Sequence, residues 1–284
     1  MYLFNEINTQ SFADRRKAEF YGTVNSDGTP HITLINSMYR LDDDTLVWGE
    51  YCHGYSKINQ IERPNVTILA LDEQQRLEYG HATYHHSKSS GEIFDVFNTI
   101  PRYRYNNIFG YSPIHFLKIT DWGECMLNED ANKRMASSLA AEKIHPGVFP
   151  DAFSVLTRQI FSSPFAFKVI GWTDKEGIVH MAPLPQCCLT TGSRVVFAFD
   201  ENETSLLKMP EGATSVVFCL DLQRMFCVLV RGEYRNVPYA KSRAGVVEVN
   251  SVYNPMMPKN CYIFPRTPLQ PVRHWEGALH EYNV

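Results

Sequence analysis

The sequence predicts a mainly β chain of the α+β kind, built from two tandem barrel-like halves. Three observations carry that expectation. Short runs rich in Val, Ile, Thr and aromatic residues recur between polar turns. Fifteen Tyr, seventeen Phe and four Trp suit half-buried strands that pack rings against one another. Finally, matching residues recur at a constant offset of 149: Gly22 with Gly171, Gly28 with Gly177, His31 with His180, Leu46-Val47-Trp48 with Val195-Val196-Phe197, and Leu71-Asp72 with Leu220-Asp221. The offset holds without a gap across roughly fifty residues, and a repeat of that kind makes each copy one structural unit.

The elements follow in order. A first strand is expected at Phe20–Val24, with its counterpart at Phe167–Trp172. Each leads into a polar turn holding Asp and Gly, then into an alternating strand that opens at His31 or His180 and includes Thr33-Leu34-Ile35-Asn36-Ser37 in the first half, a hairpin pattern. Asp42-Asp43-Asp44 and Thr191-Gly192-Ser193 turn into a third apolar strand, and a fourth is expected at Asn65–Leu71 or Thr214–Leu220. The halves then diverge. Ser89-Ser90-Gly91-Glu92 reads as a capping box opening a short helix through Ile93, Phe94, Val96 and Phe97 that stops near Pro101. A closing strand is expected at Ile114–Cys125, and at Gly245–Tyr253 in the second half without the helical insert. These expectations divide the chain into a first barrel at 1–127, a helical connector at 128–163, and a second, degenerate barrel with a C-terminal tail at 164–284. Within the connector Asn128–Ile144 and Pro150–Ile160 are expected to be helical, with Pro146-Gly147 as a break, and five prolines after Asn254 suggest a tail that wraps a surface.

Composition excludes several functions. A net charge of −4 and a pI near 6.2 offer no broad basic field for a nucleic-acid backbone. MYLFNEINTQ has no basic leader ahead of an apolar core, and no apolar run reaches about 18 residues, so a cytoplasmic protein that does not enter the membrane is expected. Seven cysteines without C-x-x-C spacing read as reduced structural thiols. No G-x-G-x-x-G, Walker loop, G-x-S-x-G or H-E-x-x-H occurs.

The segment from Trp48 to Pro64 carries the chemistry, running from a strand end through a Gly-containing loop into a short helix. Free N–H groups and the positive end of the helix dipole gather at such a start, where Ser56 can cap and Lys57 supplies a full charge. With these residues the chain resembles the pyridoxamine 5′-phosphate oxidase-like FMN-binding split barrels over about residues 15 to 125, and looks closest to the nitroimidazole-resistance and general-stress types. It departs from them in having Ser56 and Lys57 adjacent and Arg63-Pro64 where Asn-Pro is usual. The resemblance implies two tandem split barrels of the FMN-binding type. Tyr55, Ser56, Lys57 and Asn59 would lie at the FMN phosphate, with Thr33, Leu34, Ile35 and Asn36 along the isoalloxazine and Trp48-Gly49 on the next strand. Gly49 either lets backbone approach a ring or marks a bulge. In the second half Ser205-Leu206 stands at the equivalent place, beside Glu201 and Glu203, so that copy is expected to lack the phosphate cradle.

Arg102 and Arg104, interleaved with Tyr103 and Tyr105, are candidate substrate contacts or a solvated loop. His81, His85 and His86 invite a metal or haem, but without a completing carboxylate or thiolate the expectation is no metal. His31 and His180 are expected to serve the fold by closing turns. The function implied is an FMN-dependent oxidoreductase acting on a small molecule, with NAD(P)H a candidate donor and no catalytic residue assigned. The alternative is a flavin- or haem-binding barrel without turnover. Family members pair as homodimers, so the two halves are expected to pair either within one chain, as a pseudo-dimer, or between chains.

Overall fold

The computed structural model describes residues 17–99, 110–126, 151–190, 192–199, 204–239, 242–256, 260–266 and 268. Grouped by contacts, the chain forms two compact units, one of residues 1–26 and 33–127, the other of residues 27–32 and 128–284.

The first sheet and its helices are β1 (Lys17–Val24), β2 (Pro30–Leu34, of which residues 30–32 group with the second unit), β3 (Met38–Arg40), β4 (Thr45–Gly49), helix α1 (Tyr55–Glu62), β5 (Asn65–Asp72), β6 (Arg76–Lys88), helix α2 (Glu92–Thr99) and β7 (Ile114–Met126). This seven-stranded sheet has the order β2-β1-β5-β6-β7-β4-β3. Side chains from alternate strand positions, among them Tyr21, Leu46, Trp48, Val66, Ile68 and Leu117, fill one core. A smaller cluster seats Phe97 of α2 on Tyr39, Val47 and Ile114.

The second unit carries helix α3 (Val155–Phe161), β8 (Ala166–Thr173), β9 (Val179–Pro183), β10 (Cys188–Leu189), β11 (Arg194–Phe199), helix α4 (Thr204–Leu207), β12 (Thr214–Asp221), β13 (Phe226–Tyr239), β14 (Ser242–Asn254) and β15 (Cys261–Phe264). Its sheet order is β10-β11-β14-β13-β12-β8-β9, with β15 added beside β14. Raising each label of the first sheet by seven gives this order in reverse, so the strands neighbour one another in the same way.

The 149-residue offset carries β1 onto β8, β2 onto β9 and β5 onto β12, end to end. It becomes 150 after the next hairpin, where Leu71 pairs with Leu77 but Leu220 pairs with Cys227, one loop residue more. Asp72 and Asp221 brace these two turns alike, each carboxylate accepting two backbone N–H groups. Beyond it, bulges fall between His81 and Ala82 and between Arg231 and Gly232, at matching places. A bulge adds local twist, so both sheets bend at the same point.

Three expectations need correcting. The strand expected through Ser37 ends at Leu34, because Glu19 takes the Ile35 N–H on its backbone oxygen and the Met38 N–H on its carboxylate, turning the chain between them. The helix expected from Pro150 begins at Val155, where the Ser154 hydroxyl accepts the Thr157 N–H. The tail contributes a paired strand, Cys261–Phe264, rather than only irregular chain. The helix expected at Asn128–Ile144 lies outside the described residues. The seven cysteines are free thiols, and no helix among the described residues is long and apolar enough to cross a membrane.

Candidate functional site

Helix α1 begins at Tyr55, and its N-cap is Gly54, with extended backbone and no side chain to cap the first turn. Ser56 is therefore not the cap that its sequence suggests. It sits inside the first turn, buried, and its Oγ has no hydrogen-bond partner among the described residues. The unpaired hydroxyl thus lies where the helix dipole is positive, while the Lys57 N–H is taken by the Gly54 carbonyl.

Lys57 is also buried, its ammonium 5.4 Å from the centre of the Trp48 ring. Burial pulls its pKa down, and the charges of Glu50 and Cys52 offset only part of that. No hydrogen bond or ion pair holds the ammonium among the described residues. Behind it runs a chain of polar side chains. The Tyr21 hydroxyl donates to Gln60 Oε1 at 2.7 Å, and Gln60 Nε2 lies 3.0 Å from His115 Nδ1. His115 Nε2 lies 2.8 Å from Glu50 Oε2, and Glu50 Oε1 lies 2.8 Å from His53 Nδ1. The order fixes the protons. With Gln60 Oε1 already accepting from Tyr21, its amide donates to His115 Nδ1, so His115 carries its proton on Nε2 and gives it to Glu50. Burial alone would raise the Glu50 pKa, but the hydrogen bonds from His115 and His53 and the charge of Lys57 outweigh it and hold the carboxyl below its usual range.

Strand pairing assembles this chain from distant sequence. Trp48 and His115 are cross-strand partners in the β4–β7 ladder, and their rings stack with centroids 4.1 Å apart. Glu50 follows directly, its N–H bonded to Pro113 and its carbonyl accepting from Ser112.

The predicted site residues fall into groups. Trp48, Ser56 and Lys57 are brought together, and the Ser37 hydroxyl reaches the Gly49 carbonyl, which ties the 33–37 segment to the same place. Along that segment Thr33 and Leu34 are half-buried, Ile35 is buried and Asn36 is exposed. Tyr55 is 48% exposed. Asn59 instead faces β1, donating to Thr23 Oγ1 and Asn25 Oδ1, so it anchors the helix. The ring that approaches Gly49 belongs to the chain itself, since a Cβ there would lie 2.6 Å from the Tyr111 ring. Arg102 and Arg104 lie outside the described residues. His81 bonds Asp121, His85 touches His86, and His86 stacks on Phe116, with no metal-binding group of three among the described residues. His180 closes its turn on Asp174 at 2.6 Å, as its place after the turn suggests. Glu50, His53, Gln60, His115 and Tyr21 were missed. Three of them stand in or beside the Trp48–Pro64 segment, but their partnership depends on β7, which no local spacing reveals.

Among the described residues of the second unit this polar chain does not recur. Leu206 occupies the Lys57 position and is buried in the core, in a helix of four residues, while Lys208 is exposed.

No family model matches the sequence, and no curated protein matches it. Among solved structures the chain is similar to an FMN-binding protein from Syntrophomonas wolfei, with 16% identity over 45% of this chain and 88% of that one and a TM-score of 0.37. It is similar to HupZ of Group A Streptococcus, with 17% identity over 43% and 90% of the two chains and a TM-score of 0.33. A protein with a split barrel domain from Shewanella frigidimarina gives 10% identity over 46% and 76%, with a TM-score of 0.27. The structures that this chain resembles include FMN-binding and split-barrel proteins.

Proposed function

We propose that the chain is a tandem split-barrel flavoprotein that holds one FMN in its first unit, at 1–127, and uses it as an oxidoreductase toward a small acceptor. The second barrel, at 164–284 beyond a connector at 128–163, serves without a phosphate site of its own. One observation carries the reading: a buried lysine whose ammonium lacks an ion-pair partner among the described residues, at a helix start with no side-chain cap and beside an unpaired hydroxyl, is replaced by a core leucine at the matching place in the second unit. A dianionic phosphate would supply the partner that the Lys57 ammonium and the Ser56 hydroxyl lack, at the positive end of the helix dipole. The 33–37 segment, tied to Gly49 through Ser37, would lie along the ring system. FMN, when bound, supplies the electron transfer chemistry. The chain's residues anchor the phosphate, orient the ring and exclude water.

The test is spectroscopic. Purified protein titrated with FMN is expected to give a perturbed flavin spectrum that bleaches anaerobically with reduced nicotinamide and recovers with an acceptor. A flavin that binds and resists reduction would favour the binding-only alternative, and failure to bind FMN would end the reading. A Soret band on adding haem would redirect it to haem.

A further inference from the structure

The second unit provides an internal control for the polar chain of the first. Under the 149-residue offset, Tyr21 corresponds to Ile170, Trp48 to Phe197, Glu50 to Phe199, Lys57 to Leu206 and Gln60 to Met209, all members of the second core. In ladder register His115, opposite Trp48, corresponds to Gly245, opposite Phe197, and the Phe197 ring fills the space that a Cβ at Gly245 would need. The same sheet therefore closes around hydrocarbon at this place, and the fold does not require the polar chain. Burying a carboxylate, an imidazole, an amide and an ammonium instead carries a desolvation cost that packing does not repay. Its orientation indicates what it is for. The chain ends at His53, which directly precedes the N-cap Gly54 and whose ring is 38% exposed. Since ionised Glu50 only accepts, His53 carries a proton on Nδ1, and Nε2 is the ring nitrogen that remains for a ligand.

We propose that His53 is the acid–base residue of the first unit's ligand site, with Glu50 as its positioning carboxylate and His115, Gln60 and Tyr21 fixing Glu50. This rests on the reading that the ligand docks at the start of α1. The matching substrate is one whose reduction leaves an oxyanion, such as a carbonyl or quinone oxygen. With the electrons supplied by the reduced flavin of the proposed function, the imidazolium form of His53 gives its Nε2 proton to that oxygen and becomes the neutral ring, which keeps its Nδ1 proton directed at Glu50, and solvent then reprotonates Nε2. The charged and titratable groups facing the pair are His115 from β7, Lys57 from α1 and Cys52 from the intervening loop.

The experiment uses the full-length chain with 15N-labelled histidines, FMN as probe, and menadione with reduced nicotinamide for turnover. Wild-type His115 is expected to show a neutral Nε2–H signature and neutral His53 an Nδ1–H signature. Glu50→Gln should turn His53 into a tautomer mixture, and FMN should move the His53 Nε2 resonance. His53→Gln should lower kcat by about 100-fold or more, the scale of a lost general acid, with FMN affinity within about threefold, less than one hydrogen bond to a charged group. The inference is overturned if His53 keeps its tautomer in Glu50→Gln, or if FMN binds and neither His53 nor turnover responds. If FMN fails to bind at all, the flavin reading fails, and the tautomer result still decides whether the Glu50–His53 pair exists.

Discussion

Lys57 is where stability and binding oppose one another. Its pKa is depressed by burial, so the folded chain bears the cost of a charged ammonium at pH values below that depressed value, and the cost fades as pH rises toward the ordinary lysine value. Copying the second unit with Lys57→Leu should stabilise the ligand-free protein by about 0.5–2 kcal/mol and abolish FMN binding, as read by urea unfolding and flavin fluorescence. A variant that is less stable and still binds would contradict the assignment. Lys57 was readable in the sequence because a Ser-Lys pair at a helix start has a local meaning. His115 was not, since its value comes from the strand ladder that sets it against Trp48 and from Glu50, 65 residues away.

At the scale of elements, Glu50 couples the end of β4 to β7 and α1. Its pKa is held down in the folded chain, so it contributes stability above its unfolded value that is lost as pH falls through the folded value. The urea midpoint advantage of wild type over Glu50→Gln should therefore shrink between neutral pH and about pH 3, and a constant difference would count against the buried network. Gly49→Ala should cost about 1–3 kcal/mol, because the new Cβ meets the Tyr111 ring and β4 cannot retreat from β7 without losing its ladder. The strands at Lys17–Val24 and Asn65–Asp72 were readable from alternation and repeat. The break after Leu34 was not, because the residues that follow still look like strand until the Glu19 carboxylate is seen capturing Met38.

At the scale of the whole molecule, two sheets with the same strand neighbours contrast at the α1 site, where one buries a charged and polar chain and the other buries leucine, methionine and phenylalanine. The sequence offset foretold the repeated strands; the insert holding α2 follows no repeat but was legible from its own apolar spacing, whereas the added strand β15 carried no such pattern. The central claim is a single anion-anchored flavin per chain, held at α1. The most direct measurement is the stoichiometry and affinity of FMN for wild type, Lys57→Glu and Lys208→Glu by equilibrium titration. The account predicts one FMN per chain, affinity lost by about 100-fold or more in Lys57→Glu through removal of a buried charged contact, and wild-type affinity in Lys208→Glu. Two flavins per chain, or equal losses at the two lysines, would contradict it.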